Sequence, residues 1–314
     1  MLRYLAKRLA AAVVTLLGVT LLAFVVLYRL PADPAVVIAG PVGSANPELL
    51  ANIRRTRRLD RPVWEQYGTF LSQVARGDLG TSYVSNQPVA QTIARRLPAT
   101  LQLAVAGWLC WLVLGTAFGV WAAARPGPVR DGALLGFSIL GVSTPTFWVG
   151  ILLLYLFVIR LNLFPAGGSG TPKHLVLPTA ALALSGVAYY ARLTHASMRG
   201  VLGEDFIRTA VAKGVTPLGV LFRHALRNAL LPLVTVAGAD LAALLGGVVF
   251  TETVFDWQGM GQLAVQAVRS SDIPVILGVV LVSAAFVVTA NLVVDLLYPI
   301  LDPRIRAGGM GDEA

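Results

Sequence analysis

The 314-residue chain is 56% hydrophobic and only 13% charged, with a mean hydropathy of +0.72. A soluble domain carries about 25% charged residues, so these proportions exclude an ordinary soluble protein and indicate an integral membrane one. The net charge of +9 does not indicate nucleic acid, because many of the Arg and Lys residues gather at the ends of apolar runs, where membrane topology places them.

The first apolar run, Leu9 to Leu30, is long enough for a hydrocarbon core that takes about 20 residues. Arg3, Lys7 and Arg8 precede it as they would precede a signal peptide. The run nevertheless exceeds a signal core of about 7–15 residues, and Arg29-Leu30-Pro31 offers no small-x-small cleavage site. An uncleaved helix is expected, with Arg29 snorkelling at its outer end.

Residues 31–97 form the only sizeable soluble region. Asn46-Pro47 caps a helix carrying Leu49, Leu50 and Ile53, and its far end is the basic run Arg54, Arg55, Arg57 and Arg58. A second helix begins at Pro62, places Val63, Tyr67, Phe70, Leu71 and Val74 at helical spacing, and ends at Gly77. Pro88 opens a third, with Val89, Ile93 and Leu97 on one face. These helices have too little apolar area for a core of their own and are expected along the outer membrane face. The basic run offers a charged surface for another protein.

Further spans are expected over 100–124, 132–159, 175–190, 229–250 and 274–301, which with the first gives six and puts both termini on one side. Ser143-Thr144-Pro145 should kink the third span and free carbonyls toward a cavity. The fourth is short and rich in Ala, Gly and Ser, so it should pack closely against its neighbours. Asp240 falls midway through the fifth; an acid there costs about 2.5–3.5 kcal/mol on insertion scales, so it faces either an aqueous path or a neighbouring helix. Asp295, lower in the last span, reads as a packing residue.

Between the fourth and fifth spans lies a polar segment, 192–228. Glu204 and Asp205 stand in the first turn of a short helix and Lys213 in its last, as the helix dipole favours. Gly214 suits a left-handed cap, and Thr216 with Pro217 opens a second helix. Ala210, Ala212 and Gly214 keep the surface small, as if another protein lies against it. Arg and Lys in short loops fix the orientation. Arg3, Lys7, Arg8, Arg125, Arg130, Arg192, Arg199, Arg208, Lys213, Arg223, Arg227, Arg304 and Arg306 lie on the side of the termini, against Arg160, Lys173 and Arg269 opposite. The termini and the 192–228 segment are therefore expected in the cytosol.

Chemistry within the chain is hard to find. No stretch reads G-x-x-x-x-G-K-[ST], so no phosphate loop is present. His174, His195 and His224 lack ligand spacing, and the lone Cys110 lies in an apolar run, which leaves no disulfide framework or cysteine metal site. No nucleophile–base constellation occurs in an aqueous loop. The chain is not expected to be an enzyme.

The run from Arg208 to Arg227 resembles the EAA loop of ABC-importer permeases: Arg208-Thr209-Ala210 at the triplet, Gly214 at the glycine, and His224-Ala225-Leu226-Arg227 at the closing positions, where the family at large ends in proline. Lys213-Gly214 and Arg223-His224-Ala225-Leu226-Arg227-Asn228 are similar to the dipeptide/oligopeptide/nickel branch. So are Arg76-Gly77-Asp78-Leu79-Gly80-Thr81-Ser82, Pro88-Val89, Arg96-Leu97-Pro98, Phe164-Pro165, Phe255-Asp256-Trp257-Gln258-Gly259-Met260-Gly261 and Leu301-Asp302-Pro303-Arg304.

The resemblance implies an all-α membrane protein in the prokaryotic inner membrane, with six transmembrane helices and an extracytoplasmic helical insertion between the first and second. Its parts would be residues 1–30, the insertion 31–97, a permease core 98–306 and a tail 307–314. The implied partners are a second homologous permease, two cytosolic ATPases that bind ATP and Mg, and an extracytoplasmic substrate-binding protein; this chain holds no cofactor. Glu204, Asp205, Phe206, Arg208, Thr209, Ala210, Lys213, Gly214, Arg223 and His224 would then couple to the ATPases, with Phe206 and Ala210 presenting one face. Arg54, Arg55, Arg57 and Arg58 would meet the binding protein, and Ser143, Thr144, Pro145 and Asp240 would line the path of a di- or oligopeptide. The alternative is a proton-coupled secondary transporter with Asp240 as proton carrier, which leaves the capped 204–217 segment without a task.

Overall fold

The computed structural model describes residues 2–28, 33–57, 59–125, 127–246 and 248–301. Arg29, Leu30, Pro31, Arg58 and everything from Asp302 onward, including Arg304, Arg306 and the tail 307–314, lie outside the described residues, as do the side chains of Arg3 and Asp295. The described residues form helices and no strand: α1 (Leu2–Tyr28), α2 (Pro34–Gly43), α3 (Pro47–Thr56), α4 (Val63–Val74), α5 (Val89–Ala124), α6 (Pro128–Ser143), α7 (Thr146–Arg160), α8 (Pro172–Leu202), α9 (Asp205–Ala212), α10 (Pro217–Leu245), α11 (Val249–Val254), α12 (Met260–Arg269) and α13 (Ile273–Leu301). Stretches within α1, α5, α8, α10 and α13 are long and apolar enough to cross a membrane. The pair α6–α7 makes a sixth crossing if counted as one, broken by 96°.

Three sequence expectations change in detail. The helix opened by Pro88 and the second span are one continuous 36-residue helix, α5, running through Pro98. A proline removes one N–H, and tertiary packing tolerates that loss in membrane helices. The fourth span does not stop at Tyr190 but continues as α8 to Leu202, because no Gly or Pro interrupts the residues Ala191 to Met198. The third span is more than kinked at Ser143-Thr144-Pro145: Thr144 is extended at φ −91° and ψ 121°, and α7 starts afresh after Pro145.

The chain divides into two compact units. The first takes Met1–Leu101 and Leu245–Val288. Its core joins Leu27, Val89, Ile93, Met260, Leu263 and Ile276, with Phe24, Phe70 and Leu79 packed on them. Helix α4 docks on α1 through Tyr67, whose ring meets Phe24 edge-on at 5.4 Å and whose hydroxyl donates to the Leu17 carbonyl at 3.1 Å. Asn46 caps α3 as expected, accepting from the Glu48 and Leu49 amides.

The second unit takes Gln102–Leu244 and Thr289–Ala314 and is built on α8. Inside lipid, helices gain little from the hydrophobic effect and associate through close packing and interhelical hydrogen bonds. Helix α8 does both. A Cβ on Gly186 would fall 2.0 Å from the Trp111 ring of α5, so only glycine admits that contact. The same indole donates to the Leu182 carbonyl at 2.9 Å, and Trp108 donates to Ala237 of α10 at 2.7 Å. Gly186→Ala should therefore cost about 1–3 kcal/mol through overpacking. Gly136→Ala, where a Cβ meets nothing within 4 Å, should be neutral or slightly stabilising. Thermal unfolding of the detergent-solubilised protein compares them; equal midpoints would contradict the packing.

Candidate functional site

The polar segment expected over 192–228 is helix at both ends, and only residues 203–216 lie between α8 and α10. Within it, α9 starts after Glu204, which holds the cap position without a side-chain hydrogen bond. Asp205 sits in the first turn and pairs with Arg208 at 3.3 Å, both largely exposed. A surface pair of this kind contributes little. The Thr209 hydroxyl folds back onto the Asp205 carbonyl at 3.0 Å.

The end of α9 is a complete left-handed cap. Gly214 has φ +78°, its amide bonds the Val211 carbonyl at 2.9 Å, and the Val215 amide bonds Ala210 at 3.2 Å. Two residues later Thr216 accepts from the Gly219 amide at 3.2 Å and Pro217 opens α10. The first turns of α10 pass into a π-helical stretch, Val220–Leu226, which carries Arg223 and His224.

Packing decides which side of this hairpin is free. Ile207 is buried with Val120, Ala123, Met198, Val220, Ala225 and Ala229, and Val215 packs against the same cluster. Ala210 is buried too, so it does not share an outward face with Phe206, which is 44% exposed. What the hairpin shows outward is Phe206, Val211, Leu218 and Phe222, all exposed. Four large apolar side chains are thus left exposed on α9 and the first turns of α10.

The expected path residues are not joined to one another. Ser143 and Pro145 are exposed at the α6–α7 break, and the Thr144 hydroxyl bonds Leu140 at 2.6 Å. Asp240, in the middle of α10, is partly exposed and accepts from the Tyr190 hydroxyl of α8 at 2.7 Å. Among the described residues no hydrogen bond or ion pair links the break to Asp240.

Of the basic run, Arg54 pairs with Asp33, while Arg55 and Arg57 are exposed. Arg54, Arg57 and Arg61 line a cavity of about 940 Å³ whose apolar wall includes Phe24, Leu27 and Leu277. Burial pushes the nearby Tyr83 phenol up, against the Arg57 charge, which lowers it.

Two buried acids were missed by sequence reasoning. Glu252 is fully buried in α11 and accepts from the Thr100 hydroxyl at 2.7 Å and the Gln262 amide at 3.0 Å. Thr100 in turn accepts from the Met260 amide at 2.8 Å. Asp272, also buried, takes the Ser82 hydroxyl and the Tyr83 amide at 3.0 Å. The available signal was the Phe255–Gly261 stretch: Gly259 stands where a Cβ would fall 2.3 Å from the Glu252 carboxyl.

Two family descriptions match the chain. Residues 115–307 fit "Binding-protein-dependent transport system inner membrane component", and residues 1–104 fit its N-terminal region. Similar proteins include a probable peptide ABC transporter permease, y4tP, of Sinorhizobium fredii, 40% identical over 96% of this chain and 99% of that one. The dipeptide transport system permease DppB of Escherichia coli is 37% identical over 98% of this chain and 99% of its own. The Escherichia coli glutathione transport system permease GsiC is 39% identical over 98% of this chain and 99% of its own. Among solved structures, an inward-facing form of the MetNI methionine ABC transporter is similar in fold, with a TM-score of 0.52 at 19% identity, covering 68% of this chain and 97% of that one.

The Glu252 carboxyl gives a pH test. Burial pushes it up; the Thr100, Gln262 and Gly261 donors and the Arg96 charge oppose this without cancelling it. The folded protein thus keeps the proton in a window above the ordinary value of 4.5. Stability from the protonated form is present below that value and is lost as pH rises through the folded one. Glu252→Gln cannot ionise, so the melting temperature of the parent should fall relative to this variant as pH rises from about 4.5. Parallel profiles would show that Glu252 ionises equally in both states.

Proposed function

This chain belongs to the family of binding-protein-dependent transport system inner membrane components, and from that premise we propose how it works: as a permease subunit of an ATP-driven importer of di- or oligopeptides. It contributes half of the translocation pathway and is a multi-pass protein of the inner membrane with both termini in the cytosol. A second homologous permease supplies the other half. Two cytosolic ATPases bind ATP and Mg, and an extracytoplasmic binding protein delivers substrate. None of the relatives named above carries a name that speaks of proton coupling, so the proton-driven reading gains no support.

The observation that carries this reading is the α9 hairpin. It is rigid at its turn, anchored by Ile207 and Val215, and apolar on its free side at Phe206, Val211, Leu218 and Phe222. The excess of Arg and Lys on the side of the termini puts it in the cytosol. An ATPase groove that receives it moves α10 directly, since α9 joins α10 through only a four-residue turn, Lys213 to Thr216. Glu204, Asp205, Arg208, Lys213, Arg223 and His224 supply the polar rim of that contact. On the other side of the membrane, residues 31–97 with Arg54, Arg55, Arg57 and Arg58 receive the binding protein. The path itself runs past the Ser143-Thr144-Pro145 break and Asp240.

Gly214 provides the test. An added Cβ there meets nothing within 4 Å, so the whole cost of substitution comes from φ +78°. For a residue with a Cβ that cost is roughly 1–2 kcal/mol, too little to unfold the bundle and enough to re-aim α9. Gly214→Val should leave the complex assembled, while transport and the stimulation of ATP hydrolysis by loaded binding protein both fall. Gly127→Val, whose Cβ also meets nothing within 4 Å, should be mild. Parental transport and stimulation in Gly214→Val would remove the hairpin from the coupling route.

A further inference from the structure

Helix α10 presents two different surfaces along its length. Leu233, Val234, Ala237 and Leu241 line an apolar cavity of about 1030 Å³. About a third of a turn round the helix, Val236, Ala239, Asp240 and Ala243 follow one another at i, i+3, i+4 and i+7, and all are partly or fully exposed. This second surface is made of small side chains with one carboxylate in their midst.

That carboxylate is held from one side only. The Tyr190 hydroxyl, on a fully buried side chain, donates to Oδ2 at 2.7 Å. The Tyr190 ring is itself fixed by Trp111 at 6.4 Å and by Tyr189 edge-on at 5.6 Å, and Tyr189 is half exposed. Among the described residues Oδ1 receives no hydrogen bond, and no Lys, Arg or His forms an ion pair with Asp240. A purely structural tie between α8 and α10 would need an acceptor oxygen, which a neutral amide supplies as well. An acidic side chain within a membrane-spanning helix is expensive and marks a functional position.

We propose that Asp240 is a specificity-determining residue that selects a protonated amine on the transported substrate, the amino terminus of a peptide being the ligand that fits. The inference rests on the importer reading above. Tyr190 fixes the carboxylate through Oδ2, and Oδ1 accepts from the passing ammonium group, with the Tyr189 ring as a neighbouring aromatic surface. A substrate lacking the charge leaves the carboxylate unpaired as it passes, and sites built on a polar partner reject such analogues strongly. One free oxygen is enough to discriminate and too little to trap.

The test separates charge from tie. Asp240→Asn keeps an oxygen for Tyr190 and removes the charge; Tyr190→Phe keeps the charge and removes the tie. The complete importer is reconstituted in proteoliposomes, and uptake is measured for a peptide and its N-acetyl form, each at a concentration that saturates the binding protein. The parent should import the free-amine peptide at least about tenfold faster, and Asp240→Asn should bring the two rates within about twofold of each other. Tyr190→Phe should keep the preference at a lower rate. If Asp240→Asn retains the parental ratio, Asp240 is an interhelical tie and the proposal fails. A parent complex that imports no delivered peptide at all would overturn the importer reading, and this proposal with it.

Discussion

A backbone amide in hydrocarbon finds no water to bond, and that constraint governs everything else in this chain. Long continuous helices follow from it, as does the confinement of the one sharp break in a candidate span among the described residues to Ser143-Thr144-Pro145, where the Thr144 hydroxyl takes up the Leu140 carbonyl. Lipid also removes most of the hydrophobic drive between helices, so α8 holds its neighbours by proximity. Gly186 lets the Trp111 ring touch its backbone, and two indoles of α5, Trp111 and Trp108, donate their N–H groups to carbonyls of α8 and α10.

Against that background the hairpin at 203–216 is unusual for the order put into it. A linker between two spans needs only length. This one carries a complete left-handed cap at Gly214, a threonine cap two residues on, and Ile207 seated in a core shared with α5, α8 and α10. Order of that kind transmits displacement. A push on Phe206 would reach α10 through a short turn, Leu218 already stands on α10, and α10 is the helix that carries Asp240. The proposed coupling element and the proposed selective carboxylate thus stand on one continuous helix.

Local rules made much of this legible in the sequence. Asn46, Gly214 and Thr216 act on amides within a few residues, so their roles could be read without a structure. The residues that escaped act at long range. Glu252 and Thr100 are 152 positions apart, and Asp272 and Ser82 are 190 apart, so no periodicity or cap pattern joins them. Pro98 misled for a related reason: a proline reads locally as a helix boundary, yet Val89 and Ile93 before it are locked in a core that keeps α5 unbroken. Ala210 was assigned to the outward face by spacing alone, and its burial shows that the neighbours of a short helix decide its orientation.

The central claim is that the apolar side of the α9 hairpin seats in an ATPase. Photo-crosslinking tests it most directly. A benzophenone side chain placed at Leu218, which is 69% exposed, would be activated in membranes containing the assembled importer. The account predicts a covalent adduct with the ATPase subunit whose yield changes when ATP is bound. Adducts with lipid alone, or with the binding protein, would contradict it.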